Sequence, residues 1–297
     1  MKNFIKLFLL IILLIQFNAQ AEVINIVVPV PSGGGLDTMA RDLSSILADN
    51  GIKSIVSNHP GADGEIARDF VSKTKDNVIM VGGNTHWIVT DFINRRENRY
   101  LNNMNIFGPV FISPYTFITS PKGFTSLNDL LQEAKQKPTP CGVVTAKSRL
   151  DLLLMNIEYD TKFVPVPYKG TVNVIPDLGG ESIKCVYNSV GGLIPLINDG
   201  RMRVLGGNQK IAIESYIDKS VFPNIHMYQW VGFAIPTDGN LSNDKKIVDI
   251  LNTITNQPEK LKSSLDNGYF LATPSKNTKK MLEKELEQLS KIKNFEN

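Results

Sequence analysis

The sequence has few of the side chains from which metal sites are built. Its 297 residues include two cysteines and three histidines, and no CxxC or HExxH spacing occurs among them. Since a zinc site takes three or four ligands of these types at close spacing, we expect no metal ion. The residues concerned are Cys141, Cys185, His59, His86 and His226.

Long apolar runs are absent beyond the first 21 residues, MKNFIKLFLLIILLIQFNAQA. That segment has Lys2 and Lys6, an apolar run from Ile5 to Ile15 interrupted only by Lys6, and small residues near its end. This order is typical of a secretory signal peptide cleaved before Glu22, and the run is shorter than a membrane anchor needs. We therefore predict a periplasmic protein with a cleaved signal peptide over residues 1–21.

An excess of charge of either sign is also missing. Lys and Arg total 32 and Asp and Glu total 29, so the formal net charge is +3. Removal of Lys2 and Lys6 with the signal peptide lowers the basic count to 30 and the net charge to +1. Because the charges are scattered and nearly balanced, we expect no binding to nucleic acid.

The two cysteines each lie in an apolar, strand-like run, CGVV for Cys141 and IKCVYNS for Cys185. In an oxidising compartment the two can form a disulfide. A pair of buried free thiols is the alternative, and only the geometry of the fold decides between them.

Apolar runs rich in β-branched residues alternate with helical stretches. VINIVVP precedes a helix predicted over Leu36 to Asp49, and KSIVSN precedes one near Glu65 to Lys73. NVIMVGG then leads into NTHWIVTDFI. This alternation predicts a mostly parallel sheet covered by helices on both faces.

Two extended stretches divide the chain. NIFGPVFISPYTFITSP carries three prolines, and because proline is disfavoured inside a central strand we interpret it as a connection between domains. PNIHMYQWVGFAIPTDG mirrors it on the way back, and helices near Lys245 to Thr255 and Thr278 to Ile292 follow. We predict a first domain from residues 22–113 and 227–297, and a second from residues 114–226.

A glycine turn lies between the first strand and the first helix, in IVVPVPSGGGLDTMARDLSSIL. A P-loop needs Lys-Ser/Thr after its last glycine, and a dinucleotide fingerprint needs a glycine where Thr38 stands. A nucleophile elbow needs a glycine where YNSVGG has Tyr187. We therefore expect no cofactor and no enzyme activity.

The first amides of that helix lack intrahelical partners and favour an anion. Asp37 competes for them as an N-cap or first-turn acid, and we interpret it as fixing the loop while the preceding amides face a ligand. A carboxylate or a phosphate is a candidate ligand. A tight turn without any ligand is the alternative for this stretch alone.

Five motifs, in order along the chain, carry a family resemblance. They are VVPVPSGGGLDTMAR, VSNHPGADGEIA, VPYKGT, IPDLGGESIKCVYNSVGGLIPLINDGRMRVLG and WVGFAIPTDG. In these the chain resembles the Bug-type extracytoplasmic solute receptors, the substrate-binding components of tripartite tricarboxylate transporters. The resemblance implies a two-lobed, type II periplasmic-binding-protein (Venus-flytrap) α/β fold. Each lobe is then a mixed, mostly parallel sheet flanked by helices, with two crossings between the lobes.

The resemblance also implies that loops of both lobes hold a ligand carboxylate, and strand ends at a cleft are where α/β proteins bind ligands. The strand NVIMVGG adds two residues that follow it, for which a capping or packed pair is the alternative. The candidate ligand-binding residues are Ser32, Gly33, Gly34, Asp37, Thr85, His86, Ser148, Arg149, Lys169, Gly170, Thr171, Asn188 and Ser189.

Two departures from the family pattern bear on the ligand. Arg149 stands where the family has a histidine, and Asn188 stands where the family has an aspartate. An arginine facing the cleft would clamp a second carboxylate, and the loss of the aspartate would reduce repulsion, so a dicarboxylate is one hypothesis. An Arg149 exposed to solvent at a helix start is the alternative.

The sequence thus predicts a monomeric solute-binding protein that delivers a small organic acid to membrane permease subunits. A mono-, di- or tricarboxylate or an amino acid fits this prediction. A receptor that feeds a sensor protein is the alternative. A hydrolase or transferase that uses the glycine turn as an anion hole is the third hypothesis.

Overall fold

A computed structural model of the protein describes residues 23–96, 99–190, 193–205, 228–266, 269–272, 275 and 277–290. The predicted signal peptide and the last two residues of the predicted C-terminal helix lie outside the described residues. Within those residues, no helix has the length and apolar content needed to cross a bilayer.

The first sheet grows from the apolar runs that the sequence predicts as strands. Its strands are β1 (Ile24–Val28), β2 (Ser54–Asn58), β3 (Val78–Gly83), β4 (Met104–Thr119), β9 (Tyr228–Pro236) and β10 (Phe270–Leu271). Their order is β2-β1-β3-β9-β4, with β10 on the other side of β4. The first three strands are parallel, and β9 is antiparallel to both of its neighbours.

The second sheet uses the far end of β4. Its other strands are β5 (Thr139–Val143), β6 (Phe163–Pro167), β7 (Cys185–Ser189) and β8 (Arg203–Leu205). The order is β4-β7-β5-β6, and β8 also pairs with β4. β5 is parallel to β6 and β7, whereas β4 is antiparallel to β7.

Helices connect the strands and cover the sheets. They are α1 (Gly35–Asp49), α2 (Glu65–Thr74), α3 (Thr90–Ile93), α4 (Arg99–Asn103), α5 (Leu127–Gln136), α6 (Ala146–Tyr159), α7 (Ile175–Gly179), α8 (Ile194–Asn198), α9 (Lys245–Asn256), α10 (Lys262–Asp266) and α11 (Thr278–Ser290). A π-helical turn, Thr85–Val89, leads into α3. We call the first sheet with α1–α4 and α9–α11 the first lobe, and the second sheet with α5–α8 the second lobe.

The apolar periodicity of α1 shows why the chain folds this way. Leu36, Met39, Leu43 and Leu47 recur at helical spacing, and all four are buried against the first sheet. α1 covers one face of β1. On the other face, Val27 belongs to a separate cluster of buried hydrophobic residues. A strand buried on both faces is predominantly apolar, and INIVV has Asn25 as its one polar residue.

The proline-bearing stretch is a crossing between the sheets, but it is also a central strand of both. Residues up to Pro114 pair with β9, and residues from Tyr115 onward pair with β7. Pro109 lies where the ladder with β9 is interrupted, between Phe107 and Phe111, so its missing N–H removes no ladder bond. The interpretation of this stretch as a connection between domains is therefore correct, and the expectation that its prolines keep it out of a central strand is wrong.

The two cysteines face each other on neighbouring parallel strands of the second lobe. Cys141 on β5 is in register with Cys185 on β7, and their Cα atoms are 4.6 Å apart. The two residues form a disulfide and are fully buried. The fold thus decides between the two alternatives that the sequence leaves open.

Candidate ligand-binding cleft

A cleft of about 40 Å³ lies between the two lobes, where strand ends and helix starts of both meet. Residues of the first lobe that line it are Val30, Pro31, Gly34, Gly35, Leu36, His86, Gln229 and Tyr269. Residues of the second lobe that line it are Val144, Thr145, Gly170, Thr171, Val172, Asn188 and Ser189. The cleft thus brings together segments from across the whole sequence.

The two lobes touch at the rim of this cleft. A Cβ atom on Gly170 would lie 2.7 Å from Cδ and 2.9 Å from Cγ of Pro31, which is closer than real contacts allow. The φ angle of Gly170 is 177°, an extended conformation that any residue adopts. Gly170 is therefore required by the approach of the opposite lobe and not by its own backbone.

The glycine turn on the first-lobe wall is fixed by Asp37, as the sequence predicts. The carboxylate of Asp37 accepts hydrogen bonds from the Gly33 amide and from Nδ2 of Asn58, both at 3.0 Å, and pairs with Arg41 at 2.9 Å. Burial opposes the ionisation of Asp37, but these hydrogen bonds outweigh it and hold its pKa below the ordinary value. Asp37 is thus a stable anion that supports the turn from behind.

The amides that follow are the part of the turn that faces the cleft. Gly34, Gly35 and Leu36 line the cleft, and α1 has no side-chain cap. Their N–H groups have no acceptor among the residues that the structure describes. Since the Gly33 amide donates to Asp37, that amide is not available to a ligand, contrary to its predicted role.

His86 presents a neutral hydrogen-bond donor to the same space. Its ring is 4% exposed, and Nδ1 accepts from the Gly83 amide at 3.2 Å, so the proton lies on Nε2. Burial, aided by the positive charge of Arg68, lowers the pKa of His86 to about 3. The ring is therefore uncharged at any physiological pH.

Tyr269 is a cleft residue that the sequence analysis did not find. A Cβ atom on Gly35 would lie 2.5 Å from the Tyr269 hydroxyl, so that hydroxyl lies against the first turn of α1. The ring packs 5.7 Å from that of Phe111, and burial raises the pKa of the hydroxyl, which stays protonated. No short motif around NGYF signals this role, because only the fold brings the segment to α1.

A network of hydroxyl and amide groups forms the base of the cleft. The Tyr115 hydroxyl lies 2.9 Å from Oγ1 of Thr145 and donates to Oε1 of Gln229 at 3.1 Å. Gln229 in turn donates from Nε2 to Oγ of Ser189 at 3.3 Å. These side chains satisfy one another and hold the two lobes' strands together at the hinge.

Asn188 has the least satisfied side chain of the cleft wall. It is 3% exposed, and its Nδ2 lies 3.3 Å from Oγ1 of Thr171 and 3.4 Å from the Ser189 carbonyl. Its Oδ1 is buried and has no hydrogen-bond partner within the described part of the chain. Asn188 therefore carries a buried acceptor without a partner, and we call such unpaired groups of the cleft open.

Several of the predicted residues are brought together in this cleft and others are not. Gly34, His86, Gly170, Thr171, Asn188 and Ser189 line it. Ser32 and Gly33 are exposed beside it, and Asp37 is buried behind it.

Four further candidates lie outside the lining for local structural reasons. Thr85 is buried, and its amide donates to Oδ1 of Asn84. Ser148 completes a capping box with Thr145 at the start of α6 and is fully buried. Arg149 and Lys169 are exposed. The positive charge of Arg149 acts on Asp63 of the first lobe, whose pKa burial raises, so Arg149 already has an anionic neighbour outside the cleft. Within the described residues, no cluster of three or more metal-ligating side chains occurs.

The family model described as the tripartite tricarboxylate transporter family receptor matches residues 38–295. The protein BugT of Bordetella pertussis is 24% identical over 254 residues, which are 80% of this chain and 76% of BugT.

Solved structures agree with this match in fold. The Rpa4515 protein of R. palustris, solved with adipate, has a TM-score of 0.73 and 22% identity, covering 92% of this chain and 97% of Rpa4515. The periplasmic binding protein BugD has a TM-score of 0.72 and 18% identity, covering 91% of this chain and 96% of BugD. The predicted two-lobed fold is thus confirmed, and the chain belongs to the receptor family of the tripartite tricarboxylate transporters.

Proposed function

We propose that this protein is a periplasmic receptor that binds a small organic carboxylate between its lobes and delivers it to a tripartite tricarboxylate-type permease. The observation that carries this proposal is the row of open amides at the start of α1, which faces a cleft between two lobes. The adipate in Rpa4515 supports a carboxylate ligand for this chain as well.

The first-lobe wall suits one carboxylate. The open amides of Gly34, Gly35 and Leu36 lie at the positive end of the α1 dipole, where an anion is stabilised. The neutral His86 ring and the Tyr269 hydroxyl add donors beside them. We propose that these groups, together with Thr171 and Asn188, are the ligand-binding residues.

Closure of the cleft then follows from binding. A ligand that contacts both walls stabilises the closed form over the open form, because those contacts exist only when the lobes meet. We propose lobe boundaries at residues 22–113 with 227–297 and at residues 114–226, so that β4 and β9 form the hinge. The closed, ligand-bound monomer would be the form that the permease recognises.

No covalent step is part of this proposal. The His86 ring is a weak base, because its pKa is about 3 and its Nδ1 already accepts from the Gly83 amide, so it is poorly suited to activating a nucleophile. A receptor that releases its ligand unchanged therefore accounts for the site. A ligand recovered in altered form after incubation with the protein would contradict this assignment.

Thermal melting of ligand-free protein tests the proposal. The mature chain is denatured and refolded to strip bound ligand, and is then melted with mono-, di- and tricarboxylates, amino acids, sugars and nucleotides. A ligand at about 100 times its Kd adds roughly 2.7 kcal/mol of stability, which gives a clear rise in Tm. We expect rises with carboxylates only, and a rise confined to sugars or nucleotides would overturn the proposal.

A further inference from the structure

The polar groups of the cleft separate into those that satisfy one another and those that do not. Tyr115, Thr145, Gln229 and Ser189 are bonded to each other and hold the base of the cleft. Within the described residues, the groups left without a partner include the amides at the start of α1, Nε2 of His86, the Tyr269 hydroxyl and Oδ1 of Asn188. A ligand that fits this cleft must form hydrogen bonds with these groups that have no partner.

Most of the open donors lie on the first lobe and match a single carboxylate, and the Thr171 hydroxyl, which accepts from Asn188, adds one donor on the second lobe. The amides of Gly34, Gly35 and Leu36 are adjacent along α1, and the Tyr269 hydroxyl lies against Gly35. A helix N-terminus presents about half of a positive charge, which suits one anionic group. These donors therefore account for one end of the ligand.

The open acceptor lies on the second lobe and needs a donor. The Ser189 carbonyl can only accept, so its contact with Asn188 fixes Nδ2 on that side and leaves Oδ1 as the open atom. Buried acceptors in folded proteins are normally paired. A carboxylate cannot pair with Oδ1, whereas a hydroxyl or an ammonium group on the ligand can.

The charges of the cleft decide between these two donors. Every described side chain that lines the cleft is uncharged, because His86 is neutral and Arg149 and Lys169 lie outside the lining. A buried ammonium or a second carboxylate would have no opposite charge beside it, which makes its burial costly. A hydroxyl needs no such partner.

The size of the cleft also favours a small ligand over a long dicarboxylate. Its volume is small, about 40 Å³, and its walls already touch at Gly170 and Pro31. A compact ligand therefore fits with less opening of the Gly170 to Pro31 contact than a long dicarboxylate requires.

On the basis of the proposed function, we propose that the ligand is a small monocarboxylic acid that carries a hydroxyl group. Its carboxylate binds the amides of Gly34, Gly35 and Leu36, and its hydroxyl donates to Oδ1 of Asn188. Asn188 is then a specificity-determining residue that selects for the hydroxyl. This inference replaces the dicarboxylate hypothesis drawn from Arg149, whose side chain is exposed.

Titration calorimetry on stripped, full-length mature protein tests this inference with matched probes. The pairs are lactate with propionate and 3-hydroxybutyrate with butyrate, and malate and alanine probe the second carboxylate and the ammonium group. We expect the hydroxy acid of at least one pair to bind about tenfold or more tightly than its partner, than malate and than alanine. Equal affinities within both pairs, or tighter binding of malate or alanine, would overturn the inference.

The variant Asn188→Ala tests whether Asn188 causes the preference for the hydroxy acid. Asn188→Ala is expected to bring the affinity ratio within the preferred pair close to one while the unsubstituted acid binds as before. The control Asn252→Ala, on the exposed side of α9, is expected to leave the ratio unchanged. A ratio that survives Asn188→Ala contradicts the role of this residue. If the variant does not fold, the ratios of the natural protein decide the inference.

Failure of the inference and failure of the proposed function give different results. Carboxylates that bind without preference for a hydroxyl contradict the inference alone. The absence of binding by any carboxylate in the panel contradicts both.

Discussion

Gly170 of the second lobe and Pro31 of the first lobe touch across the cleft, although 139 positions separate them in the sequence. A methyl group on Gly170 has no room when the lobes are closed, whereas an open form would accept it. We therefore expect Gly170→Ala to weaken ligand binding about tenfold or more, since the closed form loses population, with little change in the Tm of the ligand-free protein.

Gly179→Ala is the matched control for this variant. A Cβ atom on Gly179, also in the second lobe, would meet nothing within 4 Å. The control should bind as the natural protein does. If Gly170→Ala binds equally well, the lobe contact does not form part of the bound state.

The buried, neutral His86 makes stability dependent on pH. Its pKa is lowered from 6.5 to about 3 in the folded state, so the unfolded chain binds a proton more readily between these values. The contribution of neutral His86 to the free energy of unfolding is therefore complete above pH 6.5. It is lost as the pH falls towards 3, by about 1.4 kcal/mol per pH unit. In His86→Gln the free energy of unfolding should depend less on pH between 6.5 and 3, since glutamine can accept from the Gly83 amide without titrating.

Urea unfolding at a series of pH values from 7 to 4 measures this difference. Because carboxylates elsewhere titrate in both proteins, the quantity that matters is the difference in the free energy of unfolding between the two. A difference that does not change with pH would show that His86 is not held neutral by the fold.

The disulfide is expected to stabilise the second lobe without serving the cleft. Cys141 and Cys185 are separated by 44 residues, and closing a loop of this length restricts the unfolded chain. Replacing both cysteines by alanine should cost about 2–4 kcal/mol in the free energy of unfolding. Neither cysteine lines the cleft, so the Kd should change little in the folded variant. Equal stability of the two proteins would contradict this account.

Glu285 on α11 joins the C-terminal helix to the hinge. Its carboxylate accepts from Nε1 of Trp230 on β9 at 3.2 Å and from Nδ2 of Asn84, which caps the turn that carries His86. Glu285→Ala would leave two donors unpaired, and we expect a loss of roughly 1–3 kcal/mol in stability. Glu285→Gln retains an acceptor and should lose less.

Glu283→Ala, an exposed position on the same helix, is the control for helix effects. Trp87 and Trp230 are the two tryptophans of the chain and lie 5.1 Å apart between ring centroids. Their fluorescence should therefore change with Glu285→Ala and stay constant with Glu283→Ala. An unaltered spectrum in both variants would mean that Glu285 does not position the hinge.

The sequence was most informative where local chemistry decides the structure. The run from β1 through the glycine turn into α1 is predicted within one residue, because apolar periodicity and the turn glycines act over short distances. The support given to the turn by Asp37 was predicted for the same reason. Proline spacing alone failed for β4, because a bulge places Pro109 outside the ladder.

The cleft was less predictable because its chemistry is assembled by the fold. Tyr269 reaches it from a segment that carries no motif, and Gln229 lies just before the WVGFAIPTDG motif. The roles of both depend on contacts with residues far along the chain.

Ser148 is predicted as a ligand residue, whereas the structure has it buried in a capping box with Thr145. Its serine is not the Glu or Gln that makes such a box readable from sequence. Arg149 follows that cap, is exposed, and acts on Asp63 of the first lobe instead of lining the cleft.

The most direct test is a crystal structure of the protein with the carboxylate that raises its Tm most. The account predicts one carboxylate group within hydrogen-bond distance of the Gly34, Gly35 and Leu36 amides, with Asn188 of the second lobe contacting the same molecule. A ligand held by one lobe alone, or one whose carboxylate lies away from the start of α1, would contradict it.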